Sequence, residues 1–371
     1  MGIKKKILYV VLFIFNFFIR MFPIDKDKIV FVSLASNALT SDLQLLYEAL
    51  EKEGSFKLHC VLMKYDKKTL KNNFMYMLNT IKQIWHINRS KMVLLNDNNY
   101  VISNFKRKGV IVIQVWHATG AIKKFGNTIQ REYPICNYDY VLANSSYWKE
   151  PYSCAFGVAK KAVKVTGMPR VDHLLDNNYI QETRQRLLKQ YPILQGRKVI
   201  LYAPTFRGNI YDGFTGVDID CDAVMKSLGK EYILIYKLHP LLKDDRLDKH
   251  KYAYNMNHED THDLFTITDI LVSDFSSVIF DFSLLGKPIV LYAPDLDEYK
   301  TDVGLFLDYK TQIPGNICYN EQELIQAIQL PYNKQQVEIF RNMFFTHQDG
   351  NNVSRVLSLI NKEMKRRSKN L

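Results

Sequence analysis

Residues 269–282 read DILVSDFSSVIFDF, and this stretch indicates the fold class of the chain. An apolar run is followed by polar residues with two serines, and then by apolar residues at helical spacing. This order predicts a strand, a tight turn and the start of a helix. In such a unit the backbone N–H groups of Ser276, Ser277 and Val278 point beyond the end of the strand. Two interpretations are open at this point: an ordinary serine N-cap, or a phosphate site at a helix start.

Strands and helices alternate along the chain after Pro23. The predicted strands are Ile29–Ser33, Leu58–Met63, Met92–Leu95, Val110–Trp116, Tyr140–Ala143, Ala162–Val165, Val199–Tyr202, Tyr232–Tyr236, Ile270–Ser273 and Pro288–Tyr292. Helices are predicted over Ser41–Lys52, Lys67–Ile87, 321–329, 334–346 and from Val353. Such alternation is typical of α/β proteins, in which parallel sheets carry helices on both faces.

The chain of 371 residues is long enough for two α/β domains, at roughly 100–200 residues per domain. A charged segment that contains Pro192 and Gly196 marks a boundary between two strand–helix series. The predicted division is an N-terminal anchor (1–28), a first Rossmann-like domain (29–185), a second Rossmann-like domain (186–345), and a C-terminal helix with a basic tail (346–371). Two Rossmann-like domains with a cleft between them are the simplest architecture for this pattern.

The positive charge is concentrated at the two ends of the chain. Residues 1–28 carry six basic and two acidic side chains, and residues 362–371 carry five basic and one acidic, so the ends hold eight of the twelve excess charges. A nucleic-acid-binding protein shows a basic stripe across its folded body instead. Charge beside an apolar segment favours anionic lipid headgroups. Five scattered cysteines without a CxxC motif fit a reducing cytoplasm.

The apolar segment at the N-terminus is ILYVVLFIFNFFI, residues 7–19, behind three lysines. As a helix it is about 20 Å long, which is short of the roughly 30 Å hydrocarbon core of a bilayer. Its basic start resembles a signal peptide, but Arg20 to Pro23 do not form a small-residue cleavage site. We expect a retained anchor that enters the cytoplasmic leaflet, and hence a peripheral protein on the cytoplasmic face of the cell membrane. A spanning helix and a buried helix are the alternatives.

Two histidines directly follow predicted strands. His117 ends the run VIVIQVWH and precedes Lys123 and Lys124, whereas His239 ends YILIYKLH and precedes Pro240. Each would face the cleft in a two-domain architecture, although a histidine in either place also has a structural interpretation. The two lysines are candidate contacts to acceptor or phosphate.

Two further charged residues follow strands in the C-terminal half. Arg207 lies in YAPTFRGN, where its guanidinium is placed to bind a phosphate in a bidentate way. Asp281 lies one helical turn after Ser277 and could bind a substrate hydroxyl or orient a histidine, or be a surface carboxylate.

One motif matches a zinc-binding pattern, but its surroundings do not favour a metal site. His258 to His262 match HExxH, which binds zinc when both histidines share one face of a buried helix. The surrounding residues are polar, and Thr261 is predicted to cap a helix that starts after it. We therefore predict no metal site and no required cofactor, and the sequence leaves open whether a divalent cation takes part.

Six segments occur in an order that resembles one known family. They are WHATGAIKKFG (116–126), TGMPRVDHL (166–174), LYAPTFRG (201–208), KLHP (237–240), SDFSSVIFDF (273–282) and HQDGNNVSRV (347–356). Together they resemble the CDP-glycerol glycerophosphotransferase family of teichoic acid biosynthesis. The first segment departs from the His-Gly-Thr-Pro wording common in that family, because it reads His117-Ala118-Thr119-Gly120-Ala121.

The resemblance implies a GT-B-type fold that binds CDP-glycerol mainly through its C-terminal half, so that residues 186–345 form the donor domain and residues 29–185 the acceptor domain. It implies that the acceptor, an undecaprenyl-diphosphate-linked saccharide, is held at the membrane and lies between the halves. It implies that His117 and His239 are the essential histidines. It places Arg207, Ser276, Ser277 and Asp281 around the donor diphosphate. In the expected reaction an acceptor hydroxyl attacks the glycerol-side phosphorus and expels CMP, with His117 as the general base.

Other activities are compatible with the same features. CDP-ribitol is an alternative donor, a GT-B glycosyltransferase with a nucleotide sugar is a second enzyme hypothesis, and a non-catalytic basic membrane-surface protein is a third. The short chain leans towards a primase-like transfer onto a lipid-linked disaccharide.

Overall fold

The computed structural model describes residues 3–65, 69–131, 133–209, 213–239, 242 and 246–366. These residues form two compact units. Unit 1 takes the described residues of Met1–Thr119, Phe125–Asp172 and Phe345–Leu371, and unit 2 takes those of Gly120–Lys124 and His173–Phe344. The domain bounds inferred from the sequence stay a prediction.

The strands of the described chain are β1 (Asp25–Ser33), β2 (Lys57–Leu62), β3 (Ser90–Leu95), β4 (Ile111–Gln114), β5 (Tyr140–Ala143), β6 (Val163–Val165), β7 (Lys198–Ala203), β8 (Arg207–Asn209), β9 (Gly213–Thr215), β10 (Tyr232–Tyr236), β11 (Ala253–Asn255), β12 (Ile270–Ser273), β13 (Ile289–Tyr292) and β14 (Asn316–Cys318). The ten predicted strands are confirmed to within a few residues. The hairpin β8–β9 and the short edge strands β11 and β14 were not predicted.

The helices are α1 (Ile3–Ile19), α2 (Ser41–Glu53), α3 (Leu70–Asn88), α4 (Tyr100–Phe105), α5 (Lys149–Phe156), α6 (Val171–Leu175), α7 (Asn177–Gln190), α8 (Cys221–Leu228), α9 (Thr261–Ile267), α10 (Val278–Ser283), α11 (Leu296–Val303), α12 (Tyr309–Gln312), α13 (Glu321–Gln329), α14 (Lys334–Phe344) and α15 (Asn352–Arg366). The predicted helix that starts at Lys67 is observed from Leu70, and Lys67 itself lies outside the described residues.

Unit 1 is built on a parallel sheet with the strand order β2-β1-β3-β4-β5-β6. β1 pairs with both β2 and β3, so the strand order reverses between β1 and β3. The central strands are buried on both faces, as near-continuous apolar runs require. In doubly wound sheets of this kind, ligands bind beyond the carboxyl ends of the strands near the reversal.

Unit 2 is built on a second parallel sheet, with the order β11-β10-β7-β12-β13-β14. When only the six strands of this sheet are numbered in chain order, the order is 3-2-1-4-5-6, as in dinucleotide-binding sheets. The order reverses between β7 and β12, which pair in register from Ile200 opposite Ile270 to Ala203 opposite Ser273. The SDFSS stretch therefore begins at the reversal point.

Helix α2 shows how local sequence fixes these layers. Leu43, Leu46 and Leu50 recur at helical spacing and are fully buried against the sheet of unit 1. The helix ends at Gly54, which adopts a left-handed conformation with φ +65° and donates its N–H to the carbonyls of Leu50 and Glu51.

Helix α1 packs on the folded body of unit 1. Over residues 9–19, where side-chain burial is described, the buried side chains are Leu12, Asn16 and Ile19. Asn16 accepts a buried hydrogen bond of 2.8 Å from Asn88 of α3, which fixes the register of the two helices. Within the described part of the chain, no helix is both long and apolar enough to cross a bilayer.

Helix α9 corrects one prediction at its start. Asp260, rather than Thr261, is the N-cap residue, and its carboxylate accepts the N–H of His262 at 2.8 Å. His258 consequently precedes the helix, while His262 lies within it. The two histidines of the HExxH match therefore do not share a helical face.

Candidate functional site

His117 lies beyond the carboxyl end of β4, beside the loop that follows β3. Its Nδ1 lies 3.0 Å from the carbonyl oxygen of Asn96 and 3.2 Å from Oδ1 of Asp97. Half of the His117 side chain is exposed, at 50%. The histidine is therefore held at one ring nitrogen, and the exposed half of its side chain is accessible to a ligand.

The residue before His117 has a strained backbone. Trp116 has φ +68°, in the left-handed region that a bulky residue rarely adopts. Its ring lies 3.9 Å from the His117 ring and stacks on Phe125 at 4.7 Å. Such strain persists only where the surrounding contacts hold it, and it is concentrated at functional sites.

An ion pair between Arg170 and Asp42 supports the backbone turn at Trp116 and His117. Arg170 donates through Nη1 to the carbonyl oxygen of His117 at 3.1 Å. Its Nε and backbone N–H both bind the carboxylate of Asp42, at 2.5 and 2.8 Å. The Asp42 side chain is 1% exposed, so this largely buried ion pair stabilises the backbone turn at His117.

In unit 2, Arg207 is engaged by two carboxylates. Its Nε and Nη2 donate to the carboxylate of Asp295 at 2.5 and 2.8 Å, and its Nη1 donates to the carboxylate of Asp274 at 2.8 Å. The guanidinium carbon also lies 5.0 Å from the ring centre of Phe275 and 4.6 Å from that of Tyr299. These bonds use most of the five N–H donors of the guanidinium, so few are left for contact with a diphosphate.

Burial governs the protonation of this cluster. It raises the pKa of the fully buried Asp274 carboxyl, an effect that Arg207 and the N–H of Thr205 oppose. Burial alone would lower the pKa of Arg207, but the carboxylates of Asp295 and Asp274 raise it above its ordinary value. Arg207 therefore stays charged.

Lys123 is the second cation of this region and belongs to unit 2. Its Nζ donates to Oγ1 of Thr205 at 2.9 Å and lies 4.4 Å from the ring centre of Phe206. Burial lowers its pKa to about 8, although the Asp274 carboxylate opposes the shift. The positive charge of the Lys123 side chain therefore decreases as the pH rises past about 8. Lys124 is exposed, and its N–H binds the carbonyl of Gly304.

His239 contacts the same phenylalanine as Lys123. Its ring centre lies 4.8 Å from that of Phe206. The structure thus brings Lys123, Phe206 and His239 together at the carboxyl ends of β7 and β10, next to the reversal of the sheet.

Helix α10 is shorter than the opening stretch suggests. It spans six residues, and the Ser277 side chain makes no capping bond. The backbone N–H groups of Ser276 and Ser277 have no hydrogen-bond partner among the described residues. A helix of this length contributes little dipole, so the two serines would hold a phosphate through these N–H groups and their hydroxyls.

Asp281 lies on the buried side of α10. Its Oδ2 is 3.5 Å from Nε2 of His262 on α9, and both side chains are about nine-tenths buried. Its Oδ1 has no hydrogen-bond partner among the described residues. Its predicted role at the donor diphosphate stays a prediction, and its observed contact is with a neighbouring helix.

A cavity of about 490 Å³ opens beside the ends of β7 and β10. Its lining combines apolar residues, which include Tyr202, Pro204, Leu238 and Leu247, with the carboxylates of Asp218 and Glu321. Apolar walls suit a planar ring, and carboxylates accept hydrogen bonds from amines and hydroxyls but repel phosphate. Among the residues described, no group of three or more His, Cys, Asp or Glu is arranged to hold a metal ion.

Sequence reasoning missed the partners of the site residues. Asp97 follows β3 in the polar run NDNN (96–99), so a comparison of neighbouring strand ends could have found it. Asp274 stands in the opening stretch itself, within the predicted turn, where no local signal shows that it pairs with Arg207. Asp42 and Arg170 are 128 residues apart, and no local signal joins them.

Two doubly wound parallel sheets, each with polar side chains at its carboxyl edge, define an α/β protein of the nucleotide-binding type. The chain belongs to the CDP-Glycerol:Poly(glycerophosphate) glycerophosphotransferase family, whose sequence profile matches residues 14–362. The resemblance seen in the six motifs is thereby confirmed.

Relatives in this family include enzymes of both glycerol- and ribitol-phosphate polymers. The chain is 32% identical to the teichoic acid glycerol-phosphate primase of Bacillus subtilis over 76% of each chain. It is 31% identical to the teichoic acid poly(ribitol-phosphate) polymerase of Bacillus spizizenii, over 92% of this chain and 57% of that protein. The chain thus spans less than two thirds of the polymerase.

A solved structure supports the fold. The wall teichoic acid polymerase TagF superposes with a TM-score of 0.75, with 98% of both chains covered and 21% identity. An α/β fold with two parallel sheets is therefore confirmed.

The structure gives a physical reason for the altered first motif. Gly120 stands where the common wording has proline, and a Cβ built on it would lie 2.7 Å from the ring of Phe280. Side-chain carbon atoms do not approach so closely, so only glycine fits beside Phe280 in this arrangement.

Proposed function

We propose that the protein transfers glycerol phosphate from CDP-glycerol to a hydroxyl of a membrane lipid-linked acceptor and releases CMP, in teichoic acid biosynthesis. The observation that carries this proposal is the family match across residues 14–362. An undecaprenyl-diphosphate-linked saccharide is the acceptor in the proposal. CDP-ribitol is the alternative donor, since relatives of both kinds exist.

Unit 2 is proposed to bind the donor. Its 3-2-1-4-5-6 strand order supports this, because nucleotides bind at the reversal point of such sheets. Lys123, His239 and the serine pair Ser276-Ser277 are proposed to contact the diphosphate, and the nearby cavity to take the base and ribose. The observed partners of Arg207 favour a structural role for it, and its predicted diphosphate contact is the rival hypothesis.

His117 is proposed to start the reaction. Its ring removes the proton from the acceptor hydroxyl while that oxygen forms a bond to the alditol-side phosphorus. The bond from phosphorus to the bridging oxygen breaks, and CMP leaves with the electron pair. A positioned base of this kind contributes typically about 10²–10⁴-fold in rate.

The test of the proposed function is CMP release from purified full-length protein. CDP-glycerol and CDP-ribitol are each supplied with a lipid-linked disaccharide, with and without a first alditol phosphate already attached. We expect CMP from one CDP-alditol only in the presence of an acceptor. UDP release from a nucleotide sugar, with none from either CDP-alditol, would replace the proposal with a glycosyltransferase.

Membrane association is proposed to occur through unit 1. Helices α1 and α3 pack against each other, and both expose large apolar side chains to solvent. On α1 these include Phe13 and Phe17, at 56% and 64% exposure, and on α3 they include Phe74, at 56%. Exposed Arg20 directly follows α1, and exposed Lys82 lies on α3. Cations beside an apolar face suit an anionic bilayer surface.

Replacing two of these phenylalanines should weaken vesicle binding. We expect Phe13→Ser with Phe17→Ser to reduce affinity for phosphatidylglycerol-containing vesicles by about tenfold or more, since burying one Phe contributes about 1.5–3 kcal/mol. Co-sedimentation measures this. The matched control is Ile339→Ser with Met343→Ser, which removes an exposed apolar pair of the same spacing from α14 of unit 2. Equal losses in both variants would contradict the proposed surface.

A further inference from the structure

We infer that the Asn96–Asp97 loop fixes His117 in the tautomer with the proton on Nδ1, and that Asp97 is a positioning residue for the transfer. This inference rests on the proposed function, in which His117 is the base. It is carried by the hydrogen-bonding chemistry around one ring nitrogen.

Both groups that face Nδ1 of His117 are acceptors. The carbonyl oxygen of Asn96 at 3.0 Å has no proton to donate, and the Asp97 carboxylate at 3.2 Å accepts as well. Nδ1 must therefore carry the proton in the neutral ring. The lone pair is then on Nε2, where it can receive a proton from a substrate hydroxyl.

A buried glutamine ties this loop to the histidine turn. Gln114, which is fully buried on β4, donates through Nε2 to the carbonyl of Asp97 at 2.9 Å. Its Oε1 accepts the N–H of Trp116 at 2.9 Å. One side-chain amide thus fixes both the loop that carries the acceptors and the strained turn that presents the ring.

The charges around the ring fit a group that becomes cationic during the reaction. Once Nε2 has taken the proton, the imidazolium faces the Asp97 carboxylate, which stabilises it. Arg170 is the charged group that meets the histidine backbone, and the Asp42 carboxylate pairs with it. Among the described residues, the Asp97 carboxylate forms no ion pair with a lysine or an arginine, so its charge acts on His117.

Asp97→Asn is the discriminating variant. It keeps the size of the side chain but places an amide that can donate to Nδ1, which favours the unproductive tautomer. We expect kcat for CMP release to fall by about 10²-fold or more, with the donor KM nearly unchanged. Asp97→Glu, which restores the carboxylate, should recover part of kcat.

The matched control is Asp25→Asn. Asp25 pairs with Lys57 and is 33% exposed, close to the 32% of Asp97, but it lies at the start of β1. We expect this control to retain wild-type kcat. A kcat loss in Asp97→Asn no larger than that in the control would overturn the inference.

A spectroscopic test does not depend on turnover. In ¹⁵N-histidine-labelled protein, the His117 signals, assigned by comparison with His117→Gln, should show a protonated Nδ1 and a bare Nε2 at neutral charge. Asp97→Asn should shift them towards the opposite tautomer. Wild-type protein in the Nε2–H form would overturn the inference, whereas correct tautomers without CMP release from any donor would overturn only the proposed function.

Discussion

His117→Ala should abolish CMP release and leave the affinity for the donor nearly intact. The physical reason is that a neutral hydroxyl is a poor nucleophile until its proton is removed, and positioned bases typically contribute about 10²–10⁴-fold. His117 belongs to unit 1, whereas the proposed donor contacts belong to unit 2. Single-turnover CMP release measures the chemical step, and calorimetry with CDP-glycerol or CDP-ribitol measures binding.

Variants of two other histidines serve as comparisons for His117→Ala. His239→Ala should weaken donor binding, because His239 lies with Lys123 on the ring of Phe206. His258→Ala should leave both quantities unchanged, since its side chain is 63% exposed and pairs with Glu259. CMP release by His117→Ala within about threefold of wild type would rule out the base assignment, since general bases contribute far more.

The sequence was sufficient to predict the central strands of both sheets, but not the contact partners of the site residues. Apolar runs predicted β7, β10 and β12 because parallel strands are buried on both faces and leave a continuous signal. The same logic placed His117 and His239 after strands. It could not predict that Gly120 meets Phe280, because a close approach between distant residues leaves no local pattern.

The length of α10 shows a second limit of prediction from the sequence. Hydroxyls at a predicted helix start suggested a dipole-assisted phosphate site, but the helix has six residues. The chain turns at Gly286 soon after the helix ends, and Phe280 of α10 packs against Phe340 and Phe344 of α14, a contact that local propensity does not encode. Arg207 shows the same limit, since its two carboxylate partners lie 67 and 88 residues further along the chain.

Arg207→Leu should destabilise unit 2 by about 3–5 kcal/mol, because removing one partner of a buried ion pair leaves an uncompensated charge. The Asp274 side chain is 1% exposed and would lose its cation, and Asp295, at 26%, would lose a bidentate partner. Arg207→Lys should recover little of this, since an ammonium cannot bind two carboxylates with the geometry of a guanidinium fork. Arg207→Leu with Asp274→Asn should be more stable than Arg207→Leu alone.

The positions of the tryptophans allow the two units to be followed separately. Trp85, Trp116 and Trp148 all lie in unit 1, so tryptophan fluorescence during urea unfolding reports on that unit. Hydrogen exchange of peptides from β7 and β12 reports on unit 2, and we expect Arg207→Leu to accelerate exchange there. The control is Arg186→Leu, whose partner Asp263 forms a half-exposed pair worth about 1 kcal/mol or less. If Arg207→Leu leaves exchange in β7 and β12 unchanged but raises the donor KM, Arg207 binds the diphosphate and the structural role is wrong.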